Sequence, residues 1–478
     1  MTRKLLRDIS ASSIQVVLNQ VLGVIIFFIT SRYLDKAAFG EINWSLALLT
    51  FITSILSLRL EQIVVRRVAM GQDPSKLLTL FTGHILVTGI CFYLILLTGR
   101  FLFPGFFREH DLLLILAVSH LLSFFSSPFK QLATGKENFR FLAIMSSVAN
   151  LIRAVWLLIA VLFSSVTVEV ILSIFIVSSF IELMISYYLS RYKLKVSLST
   201  RHRLADYFLL IRESLPLVGT VFLNASIARI DWILLGLFTT QEKTAEYSFA
   251  FRVLELSPLP LLIVAPILLS RLSRFFGSHT LADLLQKKKE LSLLIRTEMI
   301  LATLIPLALN LVWSPLIDAI TSNKYGSVNS STFLILSCCL PFLYMNNLFW
   351  SVHFALDHLK LILKITLLTF IIILAGDLLF IPRYAAQGAA VVYLLATVAE
   401  YFNYLRASTL FTIRDTWISP IACIASAAAS GLLAVYLTES AFFRLAIGLP
   451  VFFSLLLATK QLRKSDWTDM LRFSRERN

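Results

Sequence analysis

The chain has 478 residues, of which 58% are hydrophobic and only 15% are charged. A soluble domain is about 45–50% apolar and about 25% charged, so this composition excludes a soluble enzyme and indicates a protein embedded in lipid. Lys and Arg number 43 against 28 Asp and Glu, which gives a net charge of +15. In a soluble protein this excess would suggest nucleic-acid binding. In a membrane protein, the loops that carry the charges decide their role.

Apolar stretches long enough to cross a bilayer recur along the chain. A membrane-spanning helix needs roughly 20 largely apolar residues, and short polar connections separate fourteen such stretches. They lie at 12–31, 43–63, 78–99, 111–131, 141–163, 167–189, 214–237, 247–269, 293–317, 329–352, 361–381, 387–405, 417–437 and 441–459. We expect the first to be a retained membrane helix, because no small-residue cleavage site follows it. The sequence predicts an all-α polytopic membrane protein with about 14 transmembrane helices.

The basic residues are distributed unevenly between the two sides of these helices. If alternate loops are assigned to the cytoplasm, starting with the N-terminus, 31 Lys and Arg lie on that side and 8 on the other. Positive charge favours cytoplasmic loops, so both termini are predicted to be cytoplasmic. We expect the excess to set orientation and attract anionic lipid headgroups, with docking of a cytoplasmic partner as the alternative. Basic residues within three positions of a span end are counted with the adjoining loop; the other four, Arg59, Arg153, Arg229 and Arg252, lie further inside predicted spans.

The two halves of the chain carry a weak internal repeat. A shift of 205 residues places Asn19 on Asn224 and Glu41 on Glu246, and it superposes the first two spans on the seventh and eighth. Two six-helix halves with the substrate site between them are a common transporter design. The predicted segments are a six-helix lobe over 1–195, a second six-helix lobe over 196–412, and two additional helices with a basic cytoplasmic tail over 413–478.

Three segments carry motifs of one known family. The turn AAFGEINW within 31–69 is similar to the "xxFGxY"-like turn that leads into the second helix of bacterial polysaccharide-export proteins. ARIDWILLGLF, AEYSFAFRVLEL and PILLSRLSR, within 228–274, are similar to the family's "D-x-x-x-L-G … G-x-Y-S-x-A-x-R … P … S-R" pattern. The stretch 381–401 resembles its "Y-G-x-x-G-A-A" entry into the twelfth helix. This chain departs from the family in having Ala245 for the usual Gly, and Ala385-Ala386 where "Y-G" is commoner.

The chain thus resembles the oligosaccharide flippase (Wzx-type) branch of the multidrug/oligosaccharidyl-lipid/polysaccharide exporter (MOP) superfamily. The resemblance implies translocation of an undecaprenyl-diphosphate-linked oligosaccharide, a repeat unit of O-antigen or another surface polysaccharide. This substrate would move from the cytoplasmic to the outer leaflet of the bacterial inner membrane by alternating access. The expected partners are this substrate and membrane lipid, with a polysaccharide polymerase and glycosyltransferases as candidates, and no nucleic acid.

Three of the intramembrane arginines are candidates for binding this substrate. An ionisable side chain at mid-bilayer costs roughly 2.5–3.5 kcal/mol, so it normally faces a cavity or a partner. If the second, seventh and eighth helices line a central lumen, as the resemblance implies, Arg59, Arg229 and Arg252 face it and offer planar cationic forks for phosphate. The alternative is that Arg252 pairs with Glu255 and Arg229 with Asp231 to hold helices together. Residues two apart point about 200° apart on a helix, which argues against the second pair.

Several other polar residues in or beside the spans are candidates for binding, coupling or packing. Asn19 and Asn224 would bond glycan hydroxyls in the lumen, although bonding between helices explains them equally well. The candidates for ion coupling or gating are Asp231, Glu255, Glu246 and His353. For His353, polar packing is the alternative. Arg153 and His84 are expected to bond to neighbouring groups in the helix bundle.

Two further functions stay open from the residues alone. A cation-coupled exporter of small molecules with the same fold would have acidic rather than basic groups along its lumen. A non-transporting scaffold of a polysaccharide assembly complex would bind glycosyltransferases without moving lipid-linked sugar. The sequence contains no catalytic or metal-ligand constellation and no Gly-rich phosphate-binding loop. We therefore expect no enzyme activity, no cofactor and no metal site.

Overall fold

The computed structural model describes residues 2–199, 204–258, 281–408 and 415–463, with the side chains of all of these except 2–14 and 281–290. Within these ranges the backbone forms helices and no β-strand, so the predicted all-α class is confirmed. The helices are α1 (Thr2–Tyr33), α2 (Lys36–Leu56), α3 (Leu60–Ala69), α4 (Pro74–Leu102), α5 (Pro104–Glu109), α6 (Leu113–Gly135), α7 (Phe139–Leu162), α8 (Val168–Tyr188), α9 (Leu204–Phe238), α10 (Gln241–Leu256), α11 (Leu281–Thr321), α12 (Gly326–Ser337), α13 (Leu340–Ala355), α14 (Leu359–Ala407), α15 (Asp415–Leu437) and α16 (Ala441–Ala458).

Short polar side chains fix where several of these helices begin. The carboxylate of Asp35 accepts a hydrogen bond of 2.6 Å from the backbone N–H of Ala38 in the first turn of α2. Asp73, Asn138 and Thr167 cap α4, α7 and α8 in the same way. Such caps satisfy backbone N–H groups that have no partner within the helix, and each is worth about 1 kcal/mol. The polar connections in the sequence therefore mark helix starts.

Twelve helical segments within the described ranges are long and apolar enough to cross a membrane. One of them, α14, contains two helices that fold back on each other. A Cβ atom at Gly376 would lie 2.6 Å from the side chain of Val392, whereas a straight helix would separate these residues by about 24 Å. The predicted eighth span, 247–269, begins in α10 and continues beyond the described residues. The structure thus agrees with a chain of about fourteen membrane helices.

Ala385 joins the two arms of α14 in a conformation that is unusual for alanine. Its backbone has φ 46° and ψ −127°, which matches the first central position of a type II′ turn and favours glycine. The family motif "Y-G-x-x-G-A-A" has its first glycine at this position. The departure seen in the sequence therefore falls on a residue whose backbone conformation explains why glycine is commoner there.

We expect Ala385→Gly to raise the free energy of unfolding by about 1 kcal/mol. The substitution relieves a strain of about 1–3 kcal/mol and costs a smaller amount of chain entropy. Unfolding of the purified protein in detergent, by heat or denaturant, would measure the change. The matched control is Ala386→Gly, a buried position in the adjacent helix, which should lower the stability by about 1 kcal/mol. Shifts in the same direction for both variants would contradict this account of the turn.

The chain divides into two compact units, residues 1–245 and 246–478. The first unit has an apolar core where α3, α4 and α6 meet, with Leu60, Phe81 and Leu132 almost completely buried. In the second unit, the Trp313 indole stacks on Phe333 with 3.7 Å between ring centroids. The six-helix lobes inferred from the repeat stay a prediction.

The boundaries of four helices follow the 205-residue repeat. The first helix ends at Tyr33 and α9 ends at Phe238, while α2 begins at Lys36 and α10 begins at Gln241. Both pairs of positions are 205 residues apart. The repeat, weak as a set of identities, is therefore visible as equivalent turns between consecutive membrane helices.

A pair of stacked rings follows the same repeat. In the first unit, Trp44 of α2 stacks on His110 with 3.8 Å between ring centroids. In the second unit, Phe249 of α10, which is 205 residues after Trp44, stacks on Tyr325 at 4.6 Å. His110 and Tyr325 each lie just before the start of a later helix, α6 and α12 respectively. The two units thus use related aromatic contacts to fix a helix start against an earlier helix.

Candidate functional site

The predicted second span is interrupted at a residue expected to bind substrate. Helix α2 ends at Leu56 and α3 begins at Leu60; between them, Leu58 and Arg59 have φ values of 50° and 61°. Left-handed conformations cost non-glycine residues about 1–3 kcal/mol and persist where surrounding contacts impose them, often at functional sites. Arg59 therefore lies in a break between two helices and not within one continuous span.

A buried histidine holds the end of α2 at this break. The Nε2 atom of His84 lies 2.8 Å from the carbonyl oxygen of Leu56, and its Nδ1 atom lies 2.9 Å from the hydroxyl of Tyr207. Because a carbonyl oxygen only accepts, Nε2 must donate, and the Tyr207 hydroxyl then donates to Nδ1. The imidazole ties the broken helix to α9, which agrees with the expectation that His84 bonds to neighbouring groups.

The guanidinium of Arg59 is only partly satisfied. Its Nε atom is fully buried and has no hydrogen-bond partner among the described residues, and the same holds for Oε2 of Glu61. A buried charged group without a partner is costly, so nearly all such groups in folded proteins are paired. An anionic ligand would supply the acceptor that Arg59 lacks. Of the predicted site residues, Arg59 has the environment that best suits binding of an anion.

Arg252 has a partner on its own helix. Its Nη1 atom donates to Oε2 of Glu255 at 2.8 Å, so the pair that the sequence raised as an alternative is present. Both side chains are partly exposed, at 32% and 27%. An exposed ion pair is worth about 0–1 kcal/mol, so an incoming anion can compete with Glu255 for Arg252. The pair does not exclude a role in binding.

The seventh predicted span, now part of α9, carries three candidates in different environments. The guanidinium of Arg229 lies over the Trp232 ring, 4.9 Å from its centroid, and donates to the carbonyl of Ala228 at 3.1 Å. Asp231 is buried and accepts from the backbone N–H of Trp232 at 2.8 Å. Asn224 is exposed. Arg229 thus contacts a neighbouring ring and a carbonyl group, and Asp231 contacts a neighbouring backbone N–H.

Two of the intramembrane polar residues bond between helices. The Nδ2 atom of Asn150 donates to the side-chain oxygen of Asn19 at 3.2 Å, which links α7 to α1. Arg153 donates to Ser178 at 2.8 Å and to Ser179 at 2.6 Å, which links α7 to α8. The expectation that Arg153 bonds within the bundle is therefore met, and Asn19 has the interhelical bond that was its alternative interpretation.

The remaining candidates lie in the second unit. His353 is 1% exposed; its ring stacks on Tyr404, and its Nδ1 atom lies 3.2 Å from Nδ1 of His358. Its Nε2 atom has no hydrogen-bond partner within the described ranges. Glu246 is buried, and its backbone carbonyl accepts from the amide of Asn329 at 2.9 Å. Ring stacking and polar packing thus account for the contacts of His353 within the described residues.

Helix α2 packs closely against the end of α9 and the start of α10, on the side predicted to be extracytoplasmic. A Cβ atom on Gly236 would lie 2.0 Å from Trp44, and one on Gly40 would lie 1.9 Å from the carbonyl of Gln241. The Gln241 amide donates to Nδ1 of His110 at 3.3 Å. Burial lowers the pKa of His110 below its ordinary value, so its ring stays uncharged at neutral pH. This contact therefore depends on glycine in the "FG" turn.

One buried acid has no counterpart among the residues predicted from the sequence. Glu298 of α11 is 4% exposed, and neither of its carboxylate oxygens has a hydrogen-bond partner in the described part of the chain. Two residues earlier, Arg296 lies 3.7 Å from Asp415 of α15. The signal for Glu298 in the sequence is an acidic residue a few positions inside the predicted ninth span, 293–317. That signal is weak because, with Arg296 two residues earlier, both charges look like part of the loop that precedes the span.

A family model for polysaccharide biosynthesis proteins matches residues 5–270, which is more than half of the chain. The chain belongs to the polysaccharide biosynthesis protein family. The resemblance drawn from the "FG" turn and the motifs of 228–274 is thereby confirmed at the level of the family. No curated protein sequence matches the chain.

Solved structures share the architecture of this family member. The lipid II flippase MurJ, in an inward closed conformation, has 14% identity and a TM-score of 0.74, with 96% of this chain and 99% of that chain covered. An inward-facing multidrug resistance MATE family transporter of the MOP superfamily has 13% identity and a TM-score of 0.66, covering 83% and 97%. A MOP superfamily transporter from Pyrococcus furiosus has 12% identity and a TM-score of 0.57, covering 87% and 94%. The chain thus has the fold of these three transporters, in a multi-pass membrane protein.

Proposed function

We propose that the protein is a flippase that moves an undecaprenyl-diphosphate-linked oligosaccharide from the cytoplasmic to the outer leaflet of the bacterial inner membrane by alternating access. The observation that carries this proposal is the partly buried guanidinium of Arg59, whose Nε has no partner among the described residues, at the break between α2 and α3. Membership of a polysaccharide biosynthesis family supports a glycan as cargo. The fold shared with a lipid II flippase supports a lipid-linked one.

The diphosphate is the part of such a substrate that Arg59 suits. It joins the lipid to the sugars and carries the negative charge that makes unassisted passage through hydrocarbon costly. Arg offers a permanently charged, planar fork that binds phosphate oxygens in pairs, and such a bond is strong where the surroundings exclude water. The Nε–H group that the described residues leave unsatisfied therefore has a use when the diphosphate passes.

The other predicted residues have supporting roles in this proposal. Arg252 would exchange Glu255 for the diphosphate, since both members of their pair are partly exposed. Arg229 and the exposed Asn224 would contact phosphate or sugar along the path. The groups that would respond to a coupling ion or gate the path are Asp231, Glu255, Glu246 and His353. Both termini would face the cytoplasm. Glycosyltransferases would act before the flippase, and a polysaccharide polymerase would act after it.

Export of small cationic molecules is a second candidate function. The fold is shared with a multidrug resistance MATE family transporter, and Glu298 is a buried acid without a hydrogen-bond partner among the described residues. A buried carboxylate suits a cation or a proton in the way that Arg59 suits an anion. The two functions differ in the charge of the cargo, which makes them separable by experiment.

Reconstitution in liposomes tests the proposed function directly. We expect the purified protein to move a fluorescent lipid-diphosphate-linked oligosaccharide between leaflets at least tenfold faster than protein-free liposomes, measured by loss of fluorescence to a reductant outside. A lipid with the same glycan on a neutral linker is the matched control and should move at the protein-free rate. Accumulation of a cationic dye, without movement of the glycolipid, would instead support small-molecule export.

A further inference from the structure

Two arginines at the end of α3 converge on one carboxylate of α9. Arg66 donates through Nη2 to Oε2 of Glu213 at 3.0 Å, and Arg67 donates through Nε to the same oxygen at 3.3 Å. A second nitrogen of Arg67 bonds to Oε1 of Glu213. The arginines are 147 and 146 residues from Glu213 in the sequence, so this contact is not a product of local helix geometry.

The first turns of α9 are held against α3 and α4 by polar contacts. Besides Glu213, Asp206 pairs with Lys76 of α4 at 2.7 Å, and the Tyr207 hydroxyl bonds to His84. Pro216 follows within α9, and proline weakens a helix because it has no N–H to donate and crowds the preceding turn. The segment 204–215 is thus held by side-chain contacts and is followed by a weak point in the helix; we call it the strap.

The arrangement around Glu213 has the chemistry of an anion site. Two guanidinium groups surround one carboxylate, so one positive charge is left over. Planar forks that hold a carboxylate in this way suit phosphate oxygens equally well. The side chains of Arg66 and Glu213 are 55% and 33% exposed, and that of Arg67 is 13% exposed. Exposed ion pairs are weak, so an external anion reaches Arg66 first and can replace Glu213 from that side.

The position of Arg66 and Arg67 relative to Arg59 indicates a direction of movement for a bound anion. Arg59 immediately precedes the first residue of α3 and Arg66 lies in its last turn, so the two residues are about 10 Å apart along the helix axis. The exposed Gln62 lies between them. Arg66 and Arg67 are at the end of α3 that the charge distribution predicts to be cytoplasmic, and Arg59 is deeper. An anion that leaves Arg66 and Arg67 is thus about two helical turns from Arg59.

We propose that Arg66 and Arg67 form a docking site for the diphosphate of a lipid carrier at the cytoplasmic end of α3. Glu213 occupies this site as an internal anion in the empty protein, and the diphosphate displaces it. Displacement frees the segment 204–215 at one of its contacts and brings the diphosphate to the opposite end of α3 from Arg59, about two helical turns away. The identity of the carrier rests on the proposed function, whereas the diphosphate-binding site rests on the three side chains.

Equilibrium binding to the purified full-length protein tests the site. The probes are inorganic pyrophosphate and farnesyl diphosphate, a short lipid-borne form of the same group, measured by calorimetry in detergent. We expect Glu213→Gln to tighten binding of both probes about tenfold, because it removes the competing carboxylate. The double substitution Arg66→Gln with Arg67→Gln should weaken binding of both at least tenfold. A response to pyrophosphate alone would indicate a site for free phosphates and overturn the lipid-carrier proposal.

Asp206→Asn is the matched control. It removes a carboxylate and an ion pair from the same strap without freeing Arg66 or Arg67, and it should change the Kd less than twofold. If Asp206→Asn and Glu213→Gln tighten diphosphate binding equally, the effect depends only on net charge, and the proposal is overturned. If Glu213→Gln does not fold, Glu213→Asp, which shortens the carboxylate arm, should tighten binding about threefold, and no gain there would overturn the proposal as well.

The binding and flipping experiments separate this inference from the proposed function. Unchanged diphosphate binding in Glu213→Gln, in a protein that moves lipid-linked oligosaccharide, would reject the Arg66–Arg67 site alone. Tighter binding of both probes in Glu213→Gln, in a protein that moves no glycolipid, would support the site and reject the flippase.

Discussion

Arg59→Gln is expected to slow glycolipid movement in liposomes roughly 30-fold while leaving the fold intact. Loss of a charge-assisted hydrogen bond to a phosphate costs about 2 kcal/mol, which corresponds to this factor in rate if the bond forms as the diphosphate crosses. Stability should change by less than about 0.5 kcal/mol, because Nε of Arg59 has no hydrogen-bond partner among the described residues. The flipping rate per folded molecule and the unfolding midpoint, measured on the same preparation, give both quantities.

Arg153→Gln is the control for this experiment, since it also removes an arginine from within the membrane. Arg153 donates to Ser178 and Ser179, so its loss should lower the stability by about 3 kcal/mol without changing the rate per folded molecule. The two variants are therefore expected to have opposite phenotypes. An Arg59→Gln protein that flips at the normal rate, or one whose slower flipping follows only from misfolding, would remove Arg59 from the site.

Helix count, helix starts and the repeat were predictable because they depend on local sequence. Apolar length alone marks membrane helices, and a polar residue such as Asp35 marks where one begins. The Arg252–Glu255 pair follows from a spacing of three on a helix. Even the 205-residue shift, found from Asn19 and Asn224, corresponds to helix ends at equivalent positions. These features need no knowledge of which helices are neighbours in space.

The break at Arg59 was not predictable in this way. Breaks in membrane helices are normally signalled by Gly or Pro, but Leu58 and Arg59 are neither, and the break is held by His84 and Tyr207 from other helices. The turn at Ala385 is similar, because the usual glycine is absent from this chain and the positive φ is imposed by the hairpin.

Pairings over long sequence distances were equally hidden. Arg66 and Arg67 have the sequence pattern of ordinary cytoplasmic charges, and Glu213 lies some 146 residues later with no pattern that connects them. A single sequence contains the periodicity of each helix but not the choice of helix neighbours, which depends on packing of the whole bundle. The candidate site was therefore predictable as a set of intramembrane arginines, while the distinction between a bonded one, Arg153, and a partly unsatisfied one, Arg59, required the structure.

Glu182→Leu should destabilise the protein by about 3–5 kcal/mol, the largest loss of stability that we expect from a single substitution. The Glu182 carboxylate is 4% exposed; it forms an ion pair with Lys130 and accepts from Ser123 at 2.9 Å and from Ser126 at 3.1 Å. Its removal leaves the Lys130 ammonium, which is only 21% exposed, without its counter-ion inside the membrane domain. Unfolding in detergent by heat or denaturant, followed by helical circular dichroism, would measure the loss.

A double substitution shows whether the unpaired charge is the cause. In Lys130→Met with Glu182→Leu, no ammonium is left unpaired, and replacing a buried ion pair by apolar side chains is often nearly neutral. We therefore expect the double variant to recover more than half of the stability lost in Glu182→Leu. Glu169→Gln, an exposed acid at the start of the same helix, should change the stability by less than about 0.5 kcal/mol. If the double variant is no more stable than Glu182→Leu, the serine hydrogen bonds and the charge interaction of Glu182 with Arg153, and not the charge of Lys130, account for the contribution of Glu182.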